Sequence, residues 1–278
     1  MGTLYVVGTP IGNLEDLTLR ASRILGEVDL IAGEDTRITR KLLSHLGLHT
    51  PLVSYHEQNQ HLRTPQLLGE LQSKDIAMVT DAGMPGISDP GAQLVSRAAA
   101  AGFKVEIIPG PSAVPAALAA SGFSGDAFIF LGFLPRRSKE RRAILEKANS
   151  LGMTMVLFEA PHRLKATLVD LYTVLGDRQI AVCREITKLY EEVFRGTAAA
   201  ATEYFESPRG EFVLVISGAS AKVPGEVEEI SVEEARRWLQ ELKAQGVRGK
   251  EAVATVVQFT GLPKRTVYSL WIQAGKDS

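Results

Sequence analysis

Asp81-Ala82-Gly83-Met84-Pro85-Gly86-Ile87-Ser88-Asp89-Pro90-Gly91 follows the apolar run 76–79 and precedes an alanine-rich run, 92–101. A strand that stops in three glycines and two prolines, then restarts as a helix, is how α/β folds build small-molecule pockets. Glycine lets backbone approach a ligand closely and take positive φ. Proline removes competing N–H donors and stiffens the loop. A phosphate-cradling loop would avoid negative charge, so the two aspartates, Asp81 and Asp89, point to a ligand that is cationic or rich in hydroxyls and amines.

Outward from this loop, short apolar runs alternate with helix-type runs, the pattern of an α/β fold with mixed, largely parallel sheets. Strands are predicted at 3–7, 30–32, 76–80 and 105–108, with helices at 17–25 and 39–46. After Gly125 the pattern begins again, with strands at 128–131, 154–158, 179–184 and 212–217 and helices at 139–148, 164–175 and 197–205. Ser124-Gly125-Asp126 therefore joins two α/β halves. A second break falls at 219–230, where Lys222, Pro224, Gly225 and acidic residues interrupt the apolar pattern. The expected domains are 1–123, 124–220 and 221–278. The last holds three helices, at 232–244, 250–259 and 264–272, and the turn Thr260-Gly261-Leu262-Pro263 makes the final pair helix-turn-helix-like.

With 278 residues and 45% hydrophobic content the chain can bury a sizeable core. A net charge of −1 lacks the global footprint of a nucleic-acid binder, while leaving room for a local basic face. The single cysteine, Cys183, excludes an intramolecular disulfide framework and reads as a buried structural thiol in a reducing compartment. The chain opens directly into an apolar strand with no basic leader, and no apolar run reaches membrane-spanning length. A soluble cytoplasmic protein without a membrane partner is expected.

Two further strands end in unusual loops, Gly8-Thr9-Pro10-Ile11-Gly12-Asn13 and Pro109-Gly110-Pro111-Ser112-Ala113. Ligands of open α/β sheets gather beyond the carboxyl ends of the strands. Each loop alone would be an ordinary tight turn; three together predict one pocket. No G-x-G-x-x-G, G-x-x-x-x-G-K-[ST] or G-x-S-x-G pattern occurs, which disfavours NAD, ATP and serine-hydrolase chemistry. In Glu34-Asp35-Thr36-Arg37, Asp35 reads equally well as a helix cap and as a site residue. His45, His49, His56 and His61 crowd one region, but Pro51 breaks any continuous helix there and no metal site is expected. His56, set among polar residues, fits a substrate contact. Leu134-Pro135-Arg136-Arg137-Ser138-Lys139-Glu140-Arg141-Arg142 sets five cations against one acid, which suits a polyanionic substrate better than a merely solvated helix start. Glu159-Ala160-Pro161-His162-Arg163 and Arg184-Glu185-Ile186-Thr187-Lys188 end two more strands and add polar groups near the same edge.

Taken in order, Tyr5-Val6-Val7-Gly8-Thr9-Pro10-Ile11-Gly12-Asn13-Leu14, Glu34-Asp35-Thr36-Arg37, Ser54-Tyr55-His56-Glu57, residues 81–91, residues 108–113 and Gly132-Phe133-Leu134-Pro135 resemble the ribosomal RNA small subunit methyltransferase I family. That family lies within the tetrapyrrole methylase superfamily, the class III S-adenosylmethionine-dependent methyltransferases. The match runs from the first strand through Gly218, and the three-helix tail resembles the family's helix-turn-helix extension. The resemblance implies two α/β domains with S-adenosylmethionine in the cleft between them, and a homodimer. It implies methyl transfer to the ribose 2′-oxygen of a cytidine in the decoding region of 16S ribosomal RNA, within the small ribosomal subunit.

Carried over residue by residue, the resemblance places the donor on Pro10, Asp81, Gly83, Ile87, Ser112, Leu131, Gly132, Ala160 and Ser217. Charge and position nominate Arg37, His56, Arg136, Arg137 and Arg163 for RNA, with Lys188 beside them. A ribose hydroxyl is a weak nucleophile and needs a base, or a cation that stabilises the alkoxide. Asp35, Glu159 and His56 stand as alternative bases, and Lys188 as the cation. Two competing readings are a tetrapyrrole methylase of the same superfamily and a ligand-sensing regulator that places 264–272 in the DNA major groove. Against the regulator, that helix carries only Lys264 and Arg265 as cations, and Leu270, Trp271 and Ile272 read as core.

Overall fold

Five short apolar runs form a wholly parallel sheet: β1 (Thr3–Val7), β2 (Leu30–Gly33), β3 (Leu52–Ser54), β4 (Ile76–Val79) and β5 (Lys104–Ile108), ordered β3-β2-β4-β1-β5. Parallel strands need crossovers, which are supplied by α1 (Leu19–Glu27), α2 (Thr36–His45), α3 (Gln60–Glu70) and α4 (Ala92–Ala100). These helices cover both faces, so β4 is buried at all four positions. Leu4, Ile76, Met78 and Leu94 pack on one face, and Val7, Leu25, Ala77 and Val79 on the other. The computed structural model describes residues 1–218 and 232–273. The expected break at 219–230 lies outside the described residues.

The strand order sets β4, β1 and β5 side by side, which brings their three loops to one sheet edge. There the loops are joined through backbone. Thr9 and Gly83 exchange N–H···O bonds of 2.9 and 3.1 Å, Gly8 N–H donates to the Ile108 carbonyl, and Thr9 Oγ1 donates to the Thr80 carbonyl at 3.0 Å. A Cβ on Gly110 would stand 2.9 Å from the Gly8 backbone, and one on Gly8 would stand 2.7 Å from Gly110 Cα. Only two hydrogen-sized side chains fit that crossing.

After α5 (Ala113–Ser121) comes a second sheet of β6 (Phe128–Phe133), β7 (Thr154–Glu159), β8 (Gln179–Arg184), β9 (Glu192–Thr197) and β10 (Phe212–Ile216), ordered β6-β7-β10-β8-β9. Only β6–β7 is parallel here; β10 runs against both β7 and β8, and β8 against β9. Parallel pairing is thus concentrated in the first sheet. One face packs on α5 through Val114, Ala117 and Leu118, with the Cys183 thiol buried there and pushed up to about 11 by that burial. The other face is covered by α6 (Ser138–Asn149), α7 (Pro161–Leu175) and α8 (Ala198–Tyr204). Both sheets belong to one compact unit, Met1–Ala221. The other unit, Lys222–Ser278, holds α9 (Val232–Ala244), α10 (Gly249–Thr260) and α11 (Lys264–Gln273) around Leu239, Val253, Val256, Val267 and Leu270.

The elements that the periodicity does not predict each have a local cause. α3 carries Pro65 in its interior, and α5 is apolar all round, so neither shows an amphipathic stripe. β3 is three residues long, and β9 is a half-exposed edge strand interrupted by Gly196. α2 starts at Thr36 rather than 39 because Asp35 caps it, accepting from Arg37 N–H at 2.8 Å.

α6 and α7 are fastened by a buried charge cluster. Asp170, its side chain 3% exposed, accepts from Arg141 Nε (2.7 Å), Arg142 Nε (2.5 Å) and Ser138 Oγ (2.9 Å). Burial alone would raise this carboxyl, but those donors outweigh it and hold the Asp170 carboxyl below its ordinary value. Asp170→Ala leaves the buried Arg141 without its carboxylate and is expected to cost about 3–5 kcal/mol in urea unfolding. Gly110→Ala drives a methyl into the Gly8 backbone and is expected to cost about 1–3 kcal/mol in the same assay.

Candidate functional site

Where the loops of the first sheet face the second sheet, a cavity of about 320 Å³ opens. Ile11, Gly83, Ile87, Asp89 and Ser112 line it from the first half of the chain, and Phe158, Glu159, Ala160, Ile186 and Phe212 from the second. Its size falls in the lower part of the range for small-molecule pockets, roughly 300–1,000 Å³.

Backbone strain gathers around this space. Among the described residues, the non-glycine positions with positive φ are Ser88 (62°), Glu185 (51°) and Thr187 (68°). Ser88 lines the cavity, and the other two flank Ile186, which also lines it. Such conformations cost energy and persist where the surroundings over-determine them, often at ligand sites. Thr187 Oγ1 and Thr80 Oγ1 are buried without a hydrogen-bond partner among the described residues. Gly132 (φ 59°) sits where the β6–β7 register shifts, and a Cβ there would come 3.2 Å from Ser88 Oγ.

Four carboxyls from two loops, those after β2 and β4, meet beside the cavity. Asp35 N–H donates to Asp81 Oδ1 (2.9 Å), and Asp81 N–H donates to Glu34 Oε2 (3.3 Å). Burial raises Glu34 and Asp81 above their ordinary values. Asp35 behaves oppositely, held at about 2 by hydrogen bonds from the Arg37 side chain and backbone. Asp89 is pushed up to about 7, first by burial and then by the negative charges of Glu34 and Asp81. No described residue gives Asp89 a hydrogen bond or an opposite charge.

The other nominated catalytic groups are engaged. Glu159 is buried; Oε1 accepts from Ala160 N–H (2.9 Å) and pairs with Arg163 Nε (3.2 Å), while Oε2 accepts from Thr167 Oγ1. Lys188 Nζ lies 3.0 Å from Glu185 Oε1 and 2.8 Å from Glu211 Oε2. Burial would lower this ammonium, but the two carboxylates outweigh it and raise it. Its loop meets the first half closely, since a Cβ on Gly12 would stand 2.4 Å from Lys188 Cγ.

Of the nominated donor residues, Gly83, Ile87, Ser112 and Ala160 line the cavity. Pro10 and Asp81 line a smaller recess of about 150 Å³ that Ile38 and Leu42 of α2 also border. Leu131 packs into the core of the second sheet, whereas Phe133, two residues on, lies at the opening. Ser217 is at the wrong end of its strand. β10 opposes β7, so Phe212 pairs with Glu159 at the cavity, while Ser217 N–H donates to the Gln179 carbonyl beyond the far end. Glu211 and Val213, at the other end of β10, line the cavity.

Among the nominated RNA contacts, Arg136 and Arg137 are exposed, the latter 3.3 Å from Glu140. Arg37 is 84% exposed and bound to Asp35. His56 follows β3, its Nε2 3.1 Å from Asn59 Nδ2. Arg163 is largely buried, tied to Glu159 and donating to the carbonyls of Leu134 and Pro135. Arg141 and Arg142 likewise pair with Asp170, which leaves three of the five cations read from 136–142 outside that cluster. No described cluster of His, Cys, Asp and Glu could hold a metal ion, and no described helix is long and apolar enough to cross a membrane.

A family profile described as Tetrapyrrole (Corrin/Porphyrin) Methylases matches residues 3–202. The ribosomal RNA small subunit methyltransferase I of Synechocystis is 47% identical over 281 residues, covering the whole of both chains. The Thermotoga maritima protein of that name is 49% identical over 221 residues, covering 78% of this chain and 99% of its own length. A solved diphthine synthase superposes with a TM-score of 0.62 at 16% identity, covering 78% of this chain and 90% of that one, which speaks for the fold alone. The parallel sheet with its three joined loops, the mixed partner sheet and the sequence identity agree: the chain belongs to the tetrapyrrole methylase family, among the ribosomal RNA small subunit methyltransferases I.

Proposed function

We propose that this protein transfers a methyl group from S-adenosylmethionine to the ribose 2′-oxygen of a cytidine in the decoding region of 16S ribosomal RNA. The observation that carries the reading is Asp89, a carboxyl with no partner on the wall of a cavity shared by both sheets, in a chain so close to rRNA methyltransferases. The family resemblance supports the cytidine, the 2′-oxygen, the small subunit and a homodimer.

The residues fit the donor. Ile11, Ile87 and Phe158 offer apolar wall to a ring. The Ser112 side chain makes no cap bond to α5 and is open to a ligand. When bound, S-adenosylmethionine supplies a methyl carbon activated by its sulfonium. This chain must orient the ribose oxygen behind that carbon, and positioning contributes much of the rate. The loops at Thr9, Gly83 and Gly110 hold the donor side rigid.

The 2′-hydroxyl proton must leave as the new C–O bond forms. Glu159 has its oxygens engaged, and Asp35 at about 2 is too weak a base at neutral pH. Asp89, near 7, matches the working pH best, and we assign it the proton. Lys188, held charged beside Ile186, steadies the loop that borders the cavity.

Incubating the protein with S-adenosylmethionine and intact small subunits, then mapping methylated nucleotides in 16S RNA, is expected to reveal one 2′-O-methylcytidine in the decoding region. Methylation elsewhere, or on a porphyrinoid instead, would overturn the reading. Because a base works deprotonated, wild-type kcat/KM is expected to rise with pH through about 7. Asp89→Asn should lose about 10²–10⁴-fold in kcat and flatten that rise in a pH-rate profile.

A further inference from the structure

The three C-terminal helices carry a groove of about 740 Å³ that the proposed donor site does not involve. Lys243 from α9, Lys250 from α10, and Lys264, Tyr268 and Trp271 from α11 line it. Residues 232–273 contain three lysines, and all three are in the groove; no acidic side chain lines it. The same stretch has seven Lys and Arg against four Glu, a net of +3 in a chain whose net charge is −1.

The aromatic residues divide the roles. Trp271 fits against the start of α10, where a Cβ on Gly249 would stand 2.6 Å from the indole Nε1. Its ring is covered by Lys243, whose Nζ is 5.6 Å from the centroid. Tyr268, 56% exposed, therefore presents the open ring. Cations flanking an exposed aromatic ring are how single-stranded nucleic acid is held, with phosphates on the charges and a base on the ring. A duplex-reading role suits the helix less well, because Val267 and Leu270 commit one side of α11 to the core.

We propose that this groove is an accessory docking surface for a single-stranded segment of the substrate RNA, with phosphates on Lys250 and Lys264 and a base against Tyr268. The proposal rests on the rRNA substrate proposed above. That the module is accessory follows from the comparisons. The Thermotoga relative matches over 99% of its length with only 78% of this chain, and the family profile ends at residue 202. The groove should therefore govern RNA affinity and leave the methyl-transfer step alone.

The test uses the full chain and a fluorescent single-stranded RNA of about 12 nucleotides, within the usual site size, read by anisotropy across a salt series. Lys250→Glu with Lys264→Glu is expected to weaken binding at least about tenfold and to lower the salt slope by about 1.4, the value for two phosphate contacts on a single strand. Tyr268→Ala is expected to weaken it about 5- to 100-fold. Arg237→Glu, an exposed charge reversal outside the groove, should change little. In methylation assays the groove variants should raise KM for RNA, with kcat at saturating RNA and donor affinity preserved. Thermal unfolding confirms that each variant is folded.

Unchanged RNA affinity in the folded groove variants would overturn the proposal. So would an equal loss in Arg237→Glu, or a loss confined to duplex DNA or to an acidic peptide. If groove variants lose RNA binding while wild type fails to methylate 16S RNA, the substrate reading falls and the docking surface stands. If 16S methylation maps as expected but the groove variants bind normally, only the docking surface falls.

Discussion

Everything at the proposed donor site depends on how closely two backbone segments cross at Gly8 and Gly110. Their approach leaves no room for a Cβ on either chain. It sets β1 and β5 loops at a fixed spacing, and the Thr9–Gly83 bridge locks the β4 loop to the same point. These contacts use backbone groups, so the wall they form has little rotamer freedom. A loop anchored this way can hold Ser88 in an unfavourable conformation and keep Asp89 away from any counter-charge.

The electrostatics follow from that rigidity. A flexible loop would let Asp89 turn to solvent, or to a neighbouring cation such as Arg37, and its proton affinity would fall. Held beside Glu34 and Asp81, it remains the least satisfied carboxyl in the neighbourhood. Other acids nearby are occupied in maintaining the structure. Asp35 caps α2, Glu159 accepts at the start of α7, and Glu185 and Glu211 hold Lys188. The molecule thus separates carboxylates that maintain the framework from one that a ligand can use.

What can be read from sequence alone is whatever rests on local pattern. Continuous apolar runs mark the strands of the first sheet, and the glycine and proline clusters at 8–13, 81–91 and 109–113 mark the cavity wall. Strand direction is not a local property, and that is why Ser217 falls at the wrong end: the carboxyl-end rule holds for parallel strands, and β10 is antiparallel. Arg163 and Arg141 look like surface cations until their partners, Glu159 and Asp170, come into view from other segments. Positive φ at Ser88, Glu185 and Thr187 has no sequence mark, since none of them is glycine. Asp89 is visible as a loop acid, but its isolation depends on where every neighbouring charge finds its partner.

The placement of β10 has a consequence for how the protein comes into being. The first sheet is complete once residue 108 has emerged, so its core can form during synthesis. In the second sheet, β7 and β8 do not touch each other; both pair with β10, which ends at residue 216. Until that strand inserts between them, β7 and β8 expose unpaired edges, and the cavity lacks the wall at Phe212. A growing chain therefore carries the loops of one cavity wall long before it can enclose a ligand, and the closed cavity arrives late, with the insertion of a single central strand.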